Sequence, residues 1–127
     1  TVVAYGACTL KALQAAEVLA EEGTSLEVID LRTLAPLDVE TLVASVRKTG
    51  RAVVVDDAPS FSGPSAELAA AIQEHAFEWL DAPVIRVGSP RQAVPESPAL
   101  LDRLLPRPED VVAAVRRSYA AFQGLSA

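Results

Sequence analysis

Apolar residues fall in short runs that alternate with stretches of helical spacing, so the chain reads as strand and helix in turn. Residues 2–5 are a strand-like run closed by Gly6. The spacing after it predicts a helix over 9–22, with Thr9 as N-cap and Leu10, Leu13, Ala16 and Leu19 on the inward face. A second strand is expected over 26–31, followed at Pro36 by a helix over 39–48. That helix would be capped by Asp38, carry Leu42, Val43 and Val46 inward, and stop at Gly50. Residues 52–55 hold three consecutive valines, the mark of a central strand buried on both faces. A turn-rich loop at 59–64 leads into a helix over 65–80 with Leu68, Ile72, Ala76 and Leu80 in register. Residues 84–87 make a fourth strand. Five prolines then make 88–108 an irregular crossing with at most one helical turn near 100–104. The last helix starts at Pro108 or Glu109 and ends near Phe122; 123–127 should fray. Four or five strands alternating with helices predict a largely parallel sheet covered on both faces.

At 127 residues the chain fits one domain, 1–127. Half of it is apolar but only 5% is aromatic, so Ala, Val, Leu and Ile must build the core. Apolar runs stay well short of the roughly 20 residues a membrane span needs. A net charge of −6 argues against a general nucleic-acid binder and permits a basic protein partner. Cys8 has no second cysteine to pair with, and a lone thiol suits a reducing cytoplasm. Methionine is absent and Thr1 opens straight into a strand, so we expect a piece of a longer protein that extends on the N-terminal side.

Asp56 and Asp57 stand at the end of the valine strand, where acidic residues often face a ligand crevice. Two carboxylates there could hold Mg²⁺, but a phospho-receiver site also needs an acceptor Asp and a Lys on later strands. V-I-R-V-G offers neither, and a solvated or salt-bridged pair is the expectation. Tyr5-Gly6-Ala7 has the place of a dinucleotide fingerprint without its further glycines. His75 stands alone on a helix, Cys8 reads as a small core residue, and Ser62-Gly63-Pro64-Ser65 is not a nucleophile elbow. Phe77 and Trp79, beside Asp81, either look outward as a protein contact or pack under the proline-rich crossing.

Four segments carry a family resemblance. They are E-V-I-D-L-R-T-L-A-P-L-D (27–38), V-R-K-T-G-R-A-V-V-V (46–55), D-A-P-V-I-R-V (81–87) and L-P-R-P-E-D-V-V-A-A-V (105–115). In order and spacing they resemble the C-terminal domain of β subunits of thiamine-dependent 2-oxo acid dehydrogenases, of branched-chain or pyruvate type. Related domains close transketolase chains.

The resemblance implies a three-layer α/β/α fold whose five-stranded, mostly parallel sheet includes one antiparallel strand. It implies no catalytic, cofactor-binding or metal residue in this domain, which would be inactive alone. In the whole enzyme, thiamine diphosphate and Mg would sit between an upstream domain and a partner α chain. The implied partners are the α subunit, a second β subunit (α2β2) and the basic subunit-binding domain of the acyltransferase core. Asp81, with the neighbouring Phe77, matches the docking position. The chain departs from the family in D-D-A-P (56–59) where H-E-A-P is common, in a glycine-poor loop after it, and in Arg91 at a usually acidic position. Two alternatives remain: a stand-alone nucleotide- or Mg-binding regulatory module, and the C-terminal domain of a transketolase-type enzyme.

Overall fold

The computed structural model describes residues 1–123, with side chains followed to residue 120. Four strands form the sheet: β1 (Val2–Ala4), β2 (Val28–Asp30), β3 (Val53–Pro59) and β4 (Ile85–Ser89). Their order is β2-β1-β3-β4 and every neighbouring pair is parallel. In register, Val3 lies opposite Ile29 on one side and Val54 on the other. Parallel neighbours require crossovers, and helices α1 (Ala7–Glu21), α2 (Val39–Thr49) and α3 (Pro64–Ala76) provide them. The chain closes with α4 (Pro98–Leu104) and α5 (Pro108–Gln123).

Strand alternation divides the core in two. Val2, Ala4, Val53 and Val55 face α1 and α5, packing with Cys8, Ala12, Ala15, Leu19, Val111 and Val115. Val3 and Val54 face the other way, onto Leu42, Val46, Leu68, Ile72 and Ala76 of α2 and α3. The result is three layers, helices–sheet–helices, with β3 central and buried on both faces as its valines required.

The fifth, reversed strand must be corrected: among the described residues the sheet has four strands and none is antiparallel. After β4 the chain carries Pro90, Pro95 and Pro98, whose missing N–H groups cannot join a ladder, and it stays irregular until α4. The inward face of α1 is also corrected. Cys8, Ala12, Ala15 and Leu19 are the buried stripe, while Leu10 and Leu13 are 66% and 47% exposed. Small side chains win that face because α1 is wedged against both the sheet and α5. Thr9 is not the N-cap. Gly6 holds that position at φ +57°, and the Thr9 hydroxyl donates instead to Asp30 Oδ1 at 2.8 Å.

The expected cap of α2 holds. Asp38 caps α2, its Oδ1 accepting the Thr41 N–H at 3.0 Å, which fixes the L-R-T-L-A-P-L-D segment as the β2–α2 junction. The third helix ends at Ala76, earlier than its spacing suggests, and a 3₁₀ turn, Phe77–Trp79, follows. The crossing contains a seven-residue helix, α4, more than the single turn at most that was expected. Of the tail expected to fray, Gln123 belongs to α5 and 124–127 lie outside the described residues.

Candidate functional site

The strand order reverses between β1 and β3, since β2 lies to one side of β1 while β3 and β4 lie to the other. In parallel sheets this switch point is where a crevice opens at the carboxyl ends of the strands. Tyr5, Gly6, Asp56 and Asp57 stand there, but they are turned to internal bonds. Asp56, expected as part of a loop pair, lies within β3 and is wholly buried. Its Oδ2 accepts the Ser65 N–H at 2.8 Å at the start of α3, and its Oδ1 has no hydrogen-bond partner among the described residues. Burial raises its carboxyl above the ordinary value, against the lowering effect of the Ser65 bonds.

Asp57 behaves oppositely. Its Oδ1 meets Lys11 Nζ at 2.8 Å and accepts from Cys8 Sγ at 3.1 Å. Burial pulls its pKa up, but the Lys11 and Cys8 hydrogen bonds and the Lys11 charge outweigh that and hold it low. The salt-bridged expectation is met for Asp57 only. Burial, then the bond to Asp57, pushes the Cys8 thiol up to about 12, and burial followed by the Asp56 charge takes Tyr5 to about 12. A thiol so placed is no nucleophile. Among the described residues no three His, Cys, Asp or Glu side chains converge as a metal site. The switch point therefore serves as a polar clasp between β3, α1 and α3.

The second place is the patch around Asp81. Phe77 projects from the 3₁₀ turn, 69% exposed, and with Gln73, Leu80 and Asp81 borders a shallow hollow of about 290 Å³. Of the two readings left open for the aromatics, Phe77 takes the outward one. Trp79 takes neither fully: it is half-buried with the Arg47 guanidinium stacked 4.6 Å from its ring. Asp81 is anchored, its N–H donating to Gly50 O at 2.8 Å and its Oδ2 meeting Arg51 Nη1 at 3.1 Å. Gly50, which accepts that N–H, lies at φ +72°. A carboxylate held this way keeps about half its side chain open, a negative point beside an exposed ring. His75 is exposed nearby on α3 and joins no cluster.

Sequence reading named Asp81 and Phe77 but missed what positions them. Gly50 and Arg51 were legible only as a helix stop and a strand entry, since nothing in sequence brings them to residue 81. Lys11 was equally hidden; its signal is a single basic residue one turn into the helix that follows a strand end. Arg91 has an account too: its guanidinium stacks 4.6 Å over Phe61, linking the crossing to the divergent loop.

Comparison with known proteins agrees with this architecture. Residues 1–111 match the family described as transketolase, C-terminal domain. The chain is 43% identical over 117 residues to the pyruvate dehydrogenase E1 component subunit beta of Bacillus subtilis, covering 92% of this chain and 36% of that protein. It is 41% identical over 118 residues to the acetoin:2,6-dichlorophenolindophenol oxidoreductase subunit beta of Cupriavidus necator, covering 93% and 35%. A solved structure described as a split-gene transketolase in an inactive β4 tetramer superposes with a TM-score of 0.76 at 36% identity, over 94% of this chain and 38% of that one. The chain thus spans about a third of the length of the curated relatives it matches. A sheet wound in both directions from β1, a capped L-R-T-L-A-P-L-D junction and a match along most of the sequence converge: this chain belongs to the transketolase C-terminal domain family.

Proposed function

We propose that this domain is the C-terminal part of the β subunit of a 2-oxo acid dehydrogenase of pyruvate dehydrogenase type, and that it serves as scaffold and docking surface. The observation that carries the reading is 43% identity along 92% of the chain to a protein named as such a β subunit. The whole enzyme would decarboxylate a 2-oxo acid oxidatively and pass the acyl group to a lipoyl arm, in an assembly with an α subunit and a second β subunit. Thiamine diphosphate and Mg²⁺ would be its cofactors, supplying the carbanion-stabilising chemistry. The residues of this chain do not fit them: the described side chains form no cluster for a cation, and Asp56 and Asp57 are engaged with Ser65 and Lys11. No reaction step falls to these residues.

Asp81 and Phe77 are the residues we assign to docking. An anchored carboxylate beside an exposed aromatic suits a basic partner, with charge steering the encounter and the ring supplying buried area. The purified chain, given pyruvate, thiamine diphosphate, Mg²⁺ and an artificial electron acceptor, should show no turnover; sustained turnover would refute the scaffold role. Docking is tested by surface plasmon resonance against a purified acyltransferase subunit-binding domain. Asp81→Lys should weaken salt-sensitive binding at least about tenfold, as losing one charged anchor implies. Binding indifferent to Asp81→Lys and Phe77→Ala would remove both residues from the interface. A transketolase-type reading has one specific support, the split-gene transketolase superposition at 36% identity. Ketol transfer between sugar phosphates by the assembled enzyme, without 2-oxo acid oxidation, would favour it.

A further inference from the structure

A cleft of about 400 Å³ lies on the side of the molecule where β4, α4 and α5 meet, and neither the docking patch nor the switch-point clasp borders it. Its charged lining comes from separate elements: Arg86 on β4, Arg103 on α4, and Asp110 with Arg117 on α5. Ser60, in the turn after β3, completes that wall. On a chain of net charge −6, three guanidiniums here face one carboxylate.

That carboxylate keeps its charge and is held at the start of a helix. Asp110 Oδ2 accepts the Arg107 N–H at 2.8 Å, closing the first turn of α5. Arg86 is steadied by donating from Nη1 to Ser60 O at 2.6 Å, which occupies one of its five donors. Neither Arg103 nor Arg117 has an ion-pair partner among the described residues. The other acid–base contacts of the surface are paired within the chain: Arg116 with Glu22, Lys48 with Glu27, Arg32 with Asp30. The cleft thus gathers three arginines against the single carboxylate of its lining, and two of the three have no ion-pair partner among the described residues.

We propose that this cleft binds a small, multiply charged anion of the phosphate class. Guanidinium forks match phosphate oxygens two at a time, and three of them converging suit a diphosphate better than a single monoanion. The volume lies at the lower end of small-ligand sites, which favours a compact anion over an extended acidic peptide. Binding would bridge β4 to α4 and α5, tying the proline-rich crossing to the sheet.

The test is isothermal titration calorimetry of the protein with inorganic pyrophosphate at low ionic strength, then with orthophosphate. Saturable one-site binding is expected, tighter for pyrophosphate. It should weaken at least about tenfold in an Arg103→Gln/Arg117→Gln double variant, since each lost charged hydrogen bond counts strongly. Both residues are exposed, so the fold should survive, with an unchanged thermal melt as the check. Arg32→Gln, at an exposed arginine outside the cleft, should leave binding unaltered. Absence of saturation, or equal weakening by Arg32→Gln, would reduce the effect to diffuse charge and overturn the proposal. So would a hexaglutamate peptide binding more tightly than pyrophosphate through Arg103 and Arg117, which would make the cleft a protein-docking surface.

Discussion

Replacing Gly50 by alanine tests how the end of α2 shapes the patch around Asp81. Gly50 closes that helix in the left-handed region at φ +72°, its N–H reaching Val46 O at 2.8 Å. Any L side chain there costs about 1–2 kcal/mol. An added Cβ would also lie 2.5 Å from Asp81 Oδ2 and 3.2 Å from its Cγ, while Trp79 O, at 3.7 Å, is in ordinary contact. The carboxylate is the part that can yield, because its side chain is 54% exposed. Yielding disturbs the 3.1 Å pair with Arg51, and so exposed a pair contributes at most about 1 kcal/mol. Gly50→Ala should therefore cost about 1–3 kcal/mol, mostly from the backbone. For a domain of this size that lowers the melting temperature by roughly 3–6 °C per kcal/mol. Thermal denaturation of wild type, Gly50→Ala, Asp81→Ala and the double variant separates the parts. In the Asp81→Ala background the steric part vanishes, so Gly50→Ala should cost less there by up to about 1 kcal/mol. A loss under about 0.5 kcal/mol in the native background would refute the conformational argument. Equal losses in both backgrounds would refute the contact with Asp81.

Three further predictions follow from the core and the clasp. Leu19→Ala should cost about 2–5 kcal/mol in chemical denaturation, whereas Leu10→Ala should change stability by less than about 0.5 kcal/mol; a Leu10→Ala loss as large as that of Leu19→Ala would restore the expected α1 face. Asp56 has a raised pKa, so its contribution is fullest below the ordinary carboxyl value of 3.8 and is lost as pH rises through the folded pKa. Asp56→Asn, which keeps an acceptor for the Ser65 N–H, should gain stability relative to wild type at pH 7 and lose that advantage near pH 4. A deficit of equal size at both pH values would contradict this. Asp57 has the opposite sign, its lowered pKa giving stability present above 3.8 and lost as pH falls. Lys11→Met should remove about 0.5–1 kcal/mol at pH 7, discounted for the partial exposure of the pair, and almost nothing at pH 2 in urea unfolding.

The α1 helix and the D-D pair show where sequence reading stopped, and for different physical reasons. Strand identity, the Asp38 cap and the central place of V-V-V were legible because each is set by neighbours in the chain: alternation, a side chain three residues from its amide, a run of β-branched residues. The face of α1 is not local. Leu10, Leu13, Ala16 and Leu19 and the observed Cys8, Ala12, Ala15 and Leu19 are both acceptable helical stripes, and hydrophobicity alone prefers the one with more leucine. What decides is the space between β1 and α5, which admits alanine and a thiol but not two more leucines. The carboxylates differ for the same kind of reason. Asp56 and Asp57 are adjacent and chemically identical, yet strand alternation sends them to opposite faces. One meets the start of α3 and is buried with an unpaired oxygen; the other meets Lys11 across β1 and α1. The sequence shows that two acids end a central strand, but only packing decides that the first is held against its charge and the second by it. The same division applies to the patch around Asp81. Asp81 and Phe77 were visible through resemblance, while the restraint on Asp81 comes from Gly50 and Arg51, about thirty residues away and bonded to it directly.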